Sequence, residues 1–163
     1  MNTITIAAPS DAAALAKLAD EIWKEHYYPI TGKAHVDYLL KTLQSEAVIL
    51  DEIVSGRSIY FWMLLDGQRV GYCAICVRER SLYLSKLYVK KDARQHGLSR
   101  MMLDYIIANY GEGKAYIHLN VNKHNDNSIA AYKRLGFVVT DALERDVGGG
   151  HVMDDFELRL ELK

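Results

Sequence analysis

The sequence lacks long apolar runs and a strong net charge, and its first residues are not expected to form a leader segment. No apolar run approaches the length of a membrane span, and the net charge is only −1. We therefore expect no membrane and no nucleic-acid partner. The N-terminal residues MNTITIAAPSD do not combine a basic segment with an apolar one, so they do not resemble a signal peptide. These absences predict a cytoplasmic protein.

Cysteine is also scarce, since Cys73 and Cys76 are the two cysteines of the chain. Their spacing is that of redox and zinc pairs. The surrounding segment GYCAICV is apolar and favours a strand, on which residues three apart point to opposite faces. We therefore expect neither a disulfide nor a bound metal at these thiols, and we expect no metal cofactor in the protein.

The rest of the composition is that of an ordinary globular protein. Half of the 163 residues are apolar and a quarter are charged, which is enough to build one sizeable core. No repeat, low-complexity segment or linker divides the sequence. It is interpreted as a single domain spanning residues 1–163.

Hydrophobic spacing predicts a mixed α/β fold. A short strand, TITIA, is followed by three helices, of which the first ends at Pro29 and the third begins at Ser45 and closes at Gly56. Three antiparallel strands come next, the first two joined by a hairpin at Asp66 and Gly67. A helix from Leu98, a strand, a second helix and two final strands complete the chain.

The strand before the Leu98 helix and the strand after it can pair in parallel through a right-handed crossover. The predicted fold is α+β: one mixed, mostly antiparallel sheet of about six to seven strands, flanked by helices, with one parallel pair.

The segment LYVKKDARQHGLSRMM has the features of an anion site. A strand runs into a turn containing Gly97 and then into a helix, whose first N–H groups lack partners inside the helix. Arg94 and Arg100 offer the planar donors that suit phosphate. A diphosphate would fit, although neither a P-loop nor a dinucleotide glycine pattern is present. The alternative is a helix N-terminus with solvated arginines.

A second segment, NVNKHNDNSIAAYKRLGF, places Asn125, Ser128, Tyr132 and the pair Gly136-Phe137 at spacings that resemble the second signature of the GCN5-related N-acetyltransferase (GNAT) superfamily. The first segment resembles the first signature of the same superfamily, with one departure. Ser99 stands where the family usually has glycine or alanine.

The resemblance implies that acetyl-coenzyme A is the cofactor and that it acts as a co-substrate. It implies that the diphosphate lies on the turn and that the strand before the turn splays from the next parallel strand. The pantetheine arm is then expected to lie in the gap and pair with the strand before the turn, where a main-chain N–H polarises the thioester carbonyl. The implied contacts are Leu87, Tyr88, Val89, Arg94, Gln95, His96, Gly97, Leu98, Ser99, Arg100, Asn125 and Ser128.

By the same resemblance Tyr132 is the general acid that protonates the leaving thiolate; the alternative is a core tyrosine. The general base stays open, because Lys86 on the first-signature strand is no obvious base. Residues considered for the base or for acceptor binding are Glu25, His26, Tyr28, His118 and Asp154.

The resemblance places the acceptor between EHYYPITG and DVGGGHVMDD, and implies transfer of an acetyl group to a primary amine, favouring a small molecule. Glu25 and Asp154 could attract a cationic amine such as a polyamine. Transfer to a protein N-terminus or lysine, and a non-catalytic domain that binds coenzyme A, are the alternatives. A homodimer is possible, as in many relatives.

Overall fold

A seven-stranded sheet with the strand order β1-β2-β3-β4-β5-β7-β6 forms the centre of the molecule in a computed structural model, which describes residues 1–162. Neighbouring strands are antiparallel except for β4 and β5, which are parallel. This confirms the predicted fold class. The strands are β1 (Asn2–Ile6), β2 (Ile59–Leu65), β3 (Gln68–Val77), β4 (Ser81–Val89), β5 (Tyr116–Asn122), β6 (Val138–Gly148) and β7 (His151–Glu161).

Helices cover both faces of the sheet. They are α1 (Ala12–Thr31), α2 (Lys33–Leu43), α3 (Glu46–Ser55), α4 (Leu98–Tyr110) and α5 (Asp126–Arg134), with short 3-10 turns at Pro9–Asp11 and Lys91–Ala93. The third helix has the predicted ends: the Ser45 hydroxyl accepts from the Val48 N–H at 3.3 Å, and Gly56 closes the helix in the left-handed conformation. Among residues 1–162 no helix combines the length and the apolarity that crossing a membrane requires.

The predicted end of the first helix at Pro29 is wrong, because α1 continues through Pro29 to Thr31. The proline costs the helix one main-chain hydrogen bond, but the helical bonding continues past it, as the Gly32 N–H donates to the Tyr28 carbonyl at 3.1 Å. The helix ends at Gly32, whose φ of 89° is outside the helical region. The segment EHYYPI, expected near the end of the helix, is therefore helical.

Two apolar cores lie on opposite faces of the sheet. One is packed by α4, through residues such as Leu98 and Met102, and contains Cys73. The other is packed by α1, α2 and α3. Cys76 points away from Cys73, with its Sγ 3.5 Å from the Ser58 hydroxyl, and both thiols are free.

A chain of buried hydrogen bonds ties the second core together. The Trp23 indole donates to the Tyr72 hydroxyl at 2.9 Å, and that hydroxyl donates to Gln44 Oε1 at 2.7 Å. Gln44 Nε2 donates to the Tyr60 hydroxyl at 3.0 Å, which donates to Glu52 at 2.7 Å. The chain links α1, β3, the end of α2, β2 and α3, so the helices are fixed against the sheet.

Candidate active site

A gap opens in the middle of the sheet between β4 and β5. The two strands pair at their beginnings alone, through Ser81 with Tyr116, Leu82 with Ile117 and Tyr83 with His118. Beyond these pairs the strands splay, as the resemblance implied. From Leu84 onward the edge of β4 that faces β5 has no strand partner among residues 1–162, which leaves main-chain N–H and C=O groups available to a ligand.

A β-bulge lies on β4 at this gap. Ala74 of β3 pairs with Lys86 and Ile75 pairs with Leu84, so Ser85 is the extra residue. The Ser85 hydroxyl donates to the Ala74 carbonyl at 3.2 Å. Bulges disrupt the ladder locally and re-aim the backbone near binding sites. Leu87 and Val89 then pack into the α4 core while Tyr88 packs on the α1 side, so from Leu84 to Tyr88 it is the backbone that faces the gap.

The turn between β4 and α4 presents a run of free amides. In the part of the chain that the structure describes, the N–H groups from Gln95 to Arg100 donate to no protein acceptor. Gln95 and Gly97 both have positive φ, at 68° and 75°. For glutamine this conformation is strained, and strain of this kind concentrates at ligand-binding turns. Successive amides turned to one side form an anion site.

The arginines of this turn have different roles. Arg94 donates to the Val89 carbonyl at 3.0 Å and to Glu25 on α1 at 2.8 Å. It therefore braces the end of β4 against α1. Arg100 is more than half exposed and has only Asp104 near it, at 4.0 Å. The predicted phosphate donors thus differ: Arg100 is free to turn to a ligand, whereas Arg94 is held beside the turn.

The turn is held from the other side by His96, whose Nδ1 lies 3.1 Å from the Ala93 carbonyl and 3.0 Å from the Arg94 carbonyl. The His96 carbonyl accepts from Asn2 at 2.8 Å. Leu98 is buried in the α4 core, and Ser99 is partly exposed at the start of the helix.

Asn125 closes the gap on the α1 side. It is 1% exposed, and its Oδ1 accepts from the Ser128 N–H at 3.4 Å, capping α5. The same oxygen lies 3.1 Å from His26 Nε2. The Asn125 amide donates to the Tyr27 hydroxyl at 3.3 Å, which lies 3.4 Å from the Tyr88 hydroxyl. The predicted coenzyme contact Asn125 and the predicted acceptor contact His26 are therefore neighbours in one polar cluster.

Tyr132 lies on α5 with its ring edge-on to Phe137, 5.7 Å between centroids. Its hydroxyl has no hydrogen-bond partner among residues 1–162. Burial raises the pKa of Tyr132, and the neighbouring Tyr27 and Cys73 add to the effect. The phenol is therefore fully protonated at neutral pH and available to donate.

Three of the predicted acceptor contacts already have partners. Glu25 accepts from Arg94, Tyr28 donates to Asp37 at 2.5 Å, and Asp154 lies 2.7 Å from the Lys123 ammonium. Both acids that were expected to attract a cationic amine are thus paired with a cation of the protein.

His118 lies at the closed end of the gap. It belongs to a polar face of the sheet made by Tyr83, His118, Asn120, Asp155 and Glu157. Its Nδ1 is 3.5 Å from Glu157, and its Nε2 is 3.5 Å from the Ser81 hydroxyl. Burial lowers the pKa of His118, and the Arg78 charge lowers it further. The neutral ring is thus held between strands.

Asp155 is the member of this polar face that sequence reasoning missed. It is 3% exposed, whereas the neighbouring Asp154 is partly exposed and pairs with Lys123. Asp154 has the strand parity of Phe156 and Leu158, which pack into the α4 core, whereas Asp155 lies on the opposite, polar face. The alternation Met153, Asp155, Glu157 was the signal that could have identified it.

The tip of the β6–β7 hairpin lies on α2 and forms a roof over this side of the sheet. Tyr38 stacks on His151 at 4.5 Å and donates to the Val147 carbonyl at 2.7 Å. A β-carbon on Gly148 or Gly149 would lie 2.7 Å from the Tyr38 side chain, so glycine is required for this contact.

Comparison with known proteins agrees with this geometry. Residues 15–137 match the Acetyltransferase (GNAT) family. The chain is similar in structure to the PaiA N-acetyltransferase of Thermoplasma acidophilum in complex with coenzyme A, with a TM-score of 0.81 and 20% identity over 99% of both chains. It is also similar to YncA of Salmonella typhimurium with acetyl-CoA, with a TM-score of 0.68 and 21% identity over 100% of this chain and 95% of that one.

A third similar structure is a GCN5-related N-acetyltransferase from Rhodopseudomonas palustris, with a TM-score of 0.83 and 13% identity over 99% of this chain and 96% of that one. At these identities the likeness concerns the fold.

Proposed function

Because the chain belongs to the GNAT family of acetyltransferases, we propose that it transfers an acetyl group from acetyl-CoA to a primary amine of a small molecule. The observation that carries the proposal is the run of free amides from Gln95 to Arg100 at the mouth of the β4–β5 gap. A diphosphate requires such donors, and an extended arm requires an unpaired strand edge.

Different residues bind different parts of acetyl-CoA. The amides of the turn and the Arg100 side chain receive the diphosphate, and the free edge of β4 from Leu84 to Tyr88 pairs with the arm. Ser99 lies in the first turn of α4, where its hydroxyl donates to a phosphate oxygen. When bound, acetyl-CoA supplies the acetyl group as a thioester. A main-chain N–H on the free edge of β4, expected between Leu87 and Val89, would donate to the carbonyl oxygen of the thioester.

Tyr132 supports transfer because of its protonation state. Its raised pKa keeps the phenol neutral and able to donate a proton to the leaving sulfur. The absence of any other hydrogen-bond partner for this hydroxyl among residues 1–162 leaves the proton free for that use.

The roof favours a small acceptor over a protein. The contacts of Tyr38 with Val147 and His151 fix the hairpin tip on α2, on the side of the sheet that carries the polar face, whereas a protein substrate needs an open groove there. Glu25 and Asp154 are already paired with Arg94 and Lys123, which argues against a polyamine as the acceptor. Other small amines remain candidates.

Two measurements test the proposal. Acetyl-CoA at millimolar concentration should raise the melting temperature, since a ligand that binds only the folded state stabilises it. A panel of spermidine, an aminoglycoside, amino acids and short peptides should then be screened for coenzyme A release. Release with peptides alone would favour a protein acceptor, and stabilisation without any release would favour a non-catalytic module. No stabilisation would refute the proposal.

A further inference from the structure

Asp155 is a buried carboxylate without a partner. Its residue is 3% exposed, and among residues 1–162 it takes part in no side-chain hydrogen bond or ion pair. A buried charge without a partner is costly and is therefore rare outside functional sites. The Asp155 oxygens are not among the unpartnered polar atoms that are sealed from solvent, so the carboxylate keeps some solvent contact.

The register of β7 shows where that space is. Asp155 lies opposite Asn122, at the end of β5 where the gap is open, and opposite Leu143 of β6. It shares its face with Glu157, which contacts His118 at the closed end. Asp155 therefore stands on the β5 side of the gap, on the face that the hairpin roof covers.

The groups around Asp155 do not neutralise it. Burial raises its pKa, and the Asp154 charge adds to this rise, while Arg145 of β6 and Lys123 lower it by their charges without a direct ion pair. Tyr27 of α1 and Tyr83 of β4 face it from the other elements, and their own pKa values are raised by burial. Neither phenol carries a charge at neutral pH.

We propose that Asp155 is the catalytic base of the transfer, contacting the acceptor amine and removing its proton. This inference rests on the proposed function. The position is suited to the task because Asp155 lies beside Asn122, at the end of β5 where the gap is open, on the polar face of the sheet. The carboxylates of Glu25 and Asp154 are occupied by Arg94 and Lys123.

The protons and electrons of the step balance. Asp155 takes one proton from the acceptor ammonium, and the freed nitrogen lone pair forms the C–N bond as the C–S bond breaks. Tyr132 donates its proton to the sulfur, and the second amine proton returns to the Tyr132 oxygen. The proton on Asp155 is then released to solvent, so both side chains regain their starting states.

The test compares Asp155→Asn with the wild type in acetylating two nearly isosteric amines, ethylamine and 2,2,2-trifluoroethylamine. Ethylamine is almost fully protonated at neutral pH and needs a base, whereas trifluoroethylamine is largely neutral. We expect Asp155→Asn to lose about 100-fold or more in turnover of ethylamine and far less with trifluoroethylamine. Coenzyme A affinity, measured by calorimetry, should not change. Glu161→Gln, on the exposed end of β7, is the control of equal charge change.

A second readout needs no turnover. With coenzyme A bound, carboxyl NMR should show a signal, absent in Asp155→Asn, that titrates above the ordinary aspartate range. An ordinary titration, or equal losses with both amines, would overturn the assignment. A wild-type protein that binds coenzyme A but acetylates no amine would instead defeat the proposed function.

Discussion

The Nδ1 atoms of His35 on α2 and His151 on β7 lie 3.0 Å apart. One ring must donate and the other accept, so the contact exists only while at least one ring is neutral. Burial lowers the pKa of His35, and the His151 charge lowers it further. The folded state thus binds this proton less readily than the unfolded state. The stability from the contact is present above the unfolded pKa of 6.5 and is lost as the pH falls from there through the lowered folded pKa.

We expect the roof to loosen in mild acid. Amide exchange at Gly148, Gly149 and Gly150 should accelerate as the pH falls below about 6.5, relative to its intrinsic pH dependence. His35→Phe should abolish the extra acceleration. His124→Gln, which changes an exposed histidine, should retain it. Equal pH dependence in all three proteins would contradict a role for this histidine pair.

Replacing Asp155 with asparagine should stabilise the protein at neutral pH. The folded pKa of Asp155 is raised, so its ionisation destabilises the fold as pH rises through that pKa. The variant should gain roughly 1 kcal/mol in unfolding free energy at pH 7. The gain should vanish near pH 3, where Asp155 of the wild type is protonated in both the folded and the unfolded state. Urea unfolding at the two pH values measures this. A loss at pH 7 would show that the carboxylate is stabilising.

Tyr132→Phe should lower turnover by about 100-fold, since it removes a general acid. Coenzyme A affinity should change little because the ring is retained. Stopped-assay kinetics and calorimetry separate the two quantities. Tyr110→Phe, which changes a tyrosine packed on Phe61 at the end of α4, is the matched control. Unchanged turnover in Tyr132→Phe would remove the assigned role.

Arg94→Ala should weaken coenzyme binding without altering the chemistry. The variant loses the contacts to Val89 and Glu25, so the end of β4 and the amide turn are no longer braced. We expect about a 10-fold rise in the KM for acetyl-CoA, with kcat within about twofold, equivalent to roughly 1.4 kcal/mol. Arg57→Ala, which breaks an exposed pair with Asp51, should leave the KM unchanged. An effect on kcat alone would contradict bracing.

Tyr72→Phe should destabilise the fold. The change leaves the Trp23 indole and Gln44 Oε1 without partners in the buried hydrogen-bond chain. An unsatisfied buried group costs about 1–3 kcal/mol, so a loss of about 2 kcal/mol or more is expected in urea unfolding. A loss below about 0.5 kcal/mol would mean that this series of buried hydrogen bonds contributes little to the stability of the fold.

Local chemistry made much of the fold predictable. Ser45 caps its helix and Gly56 ends it because a side-chain oxygen and a left-handed residue are needed there. The parallel pair followed from a strand, a helix and a strand in succession. The end of the first helix was predicted wrongly at Pro29 because a proline near the last turn ends a helix in many sequences. Here the helix ends at Gly32 instead.

The site was predictable where it is local in sequence and not where it is assembled from distant strands. The amide turn occupies consecutive residues, so its sequence shows it. Asp155 and Asp154 differ by one position on a strand whose two faces are both partly covered. Only the pairing of β7 with β5 and β6 decides which of the two is buried. The partnering of Glu25 with Arg94 spans 69 residues and has no sequence signal.

The splayed strands have a mechanical consequence. Only three residue pairs join β4 to β5, so the sheet carries a seam that separates β1–β4 from β5–β7. Under tension applied across the sheet, rupture should begin at that seam. An extended ligand that binds along β4 would add contacts between the two parts of the sheet, so the rupture force should rise when coenzyme A is bound.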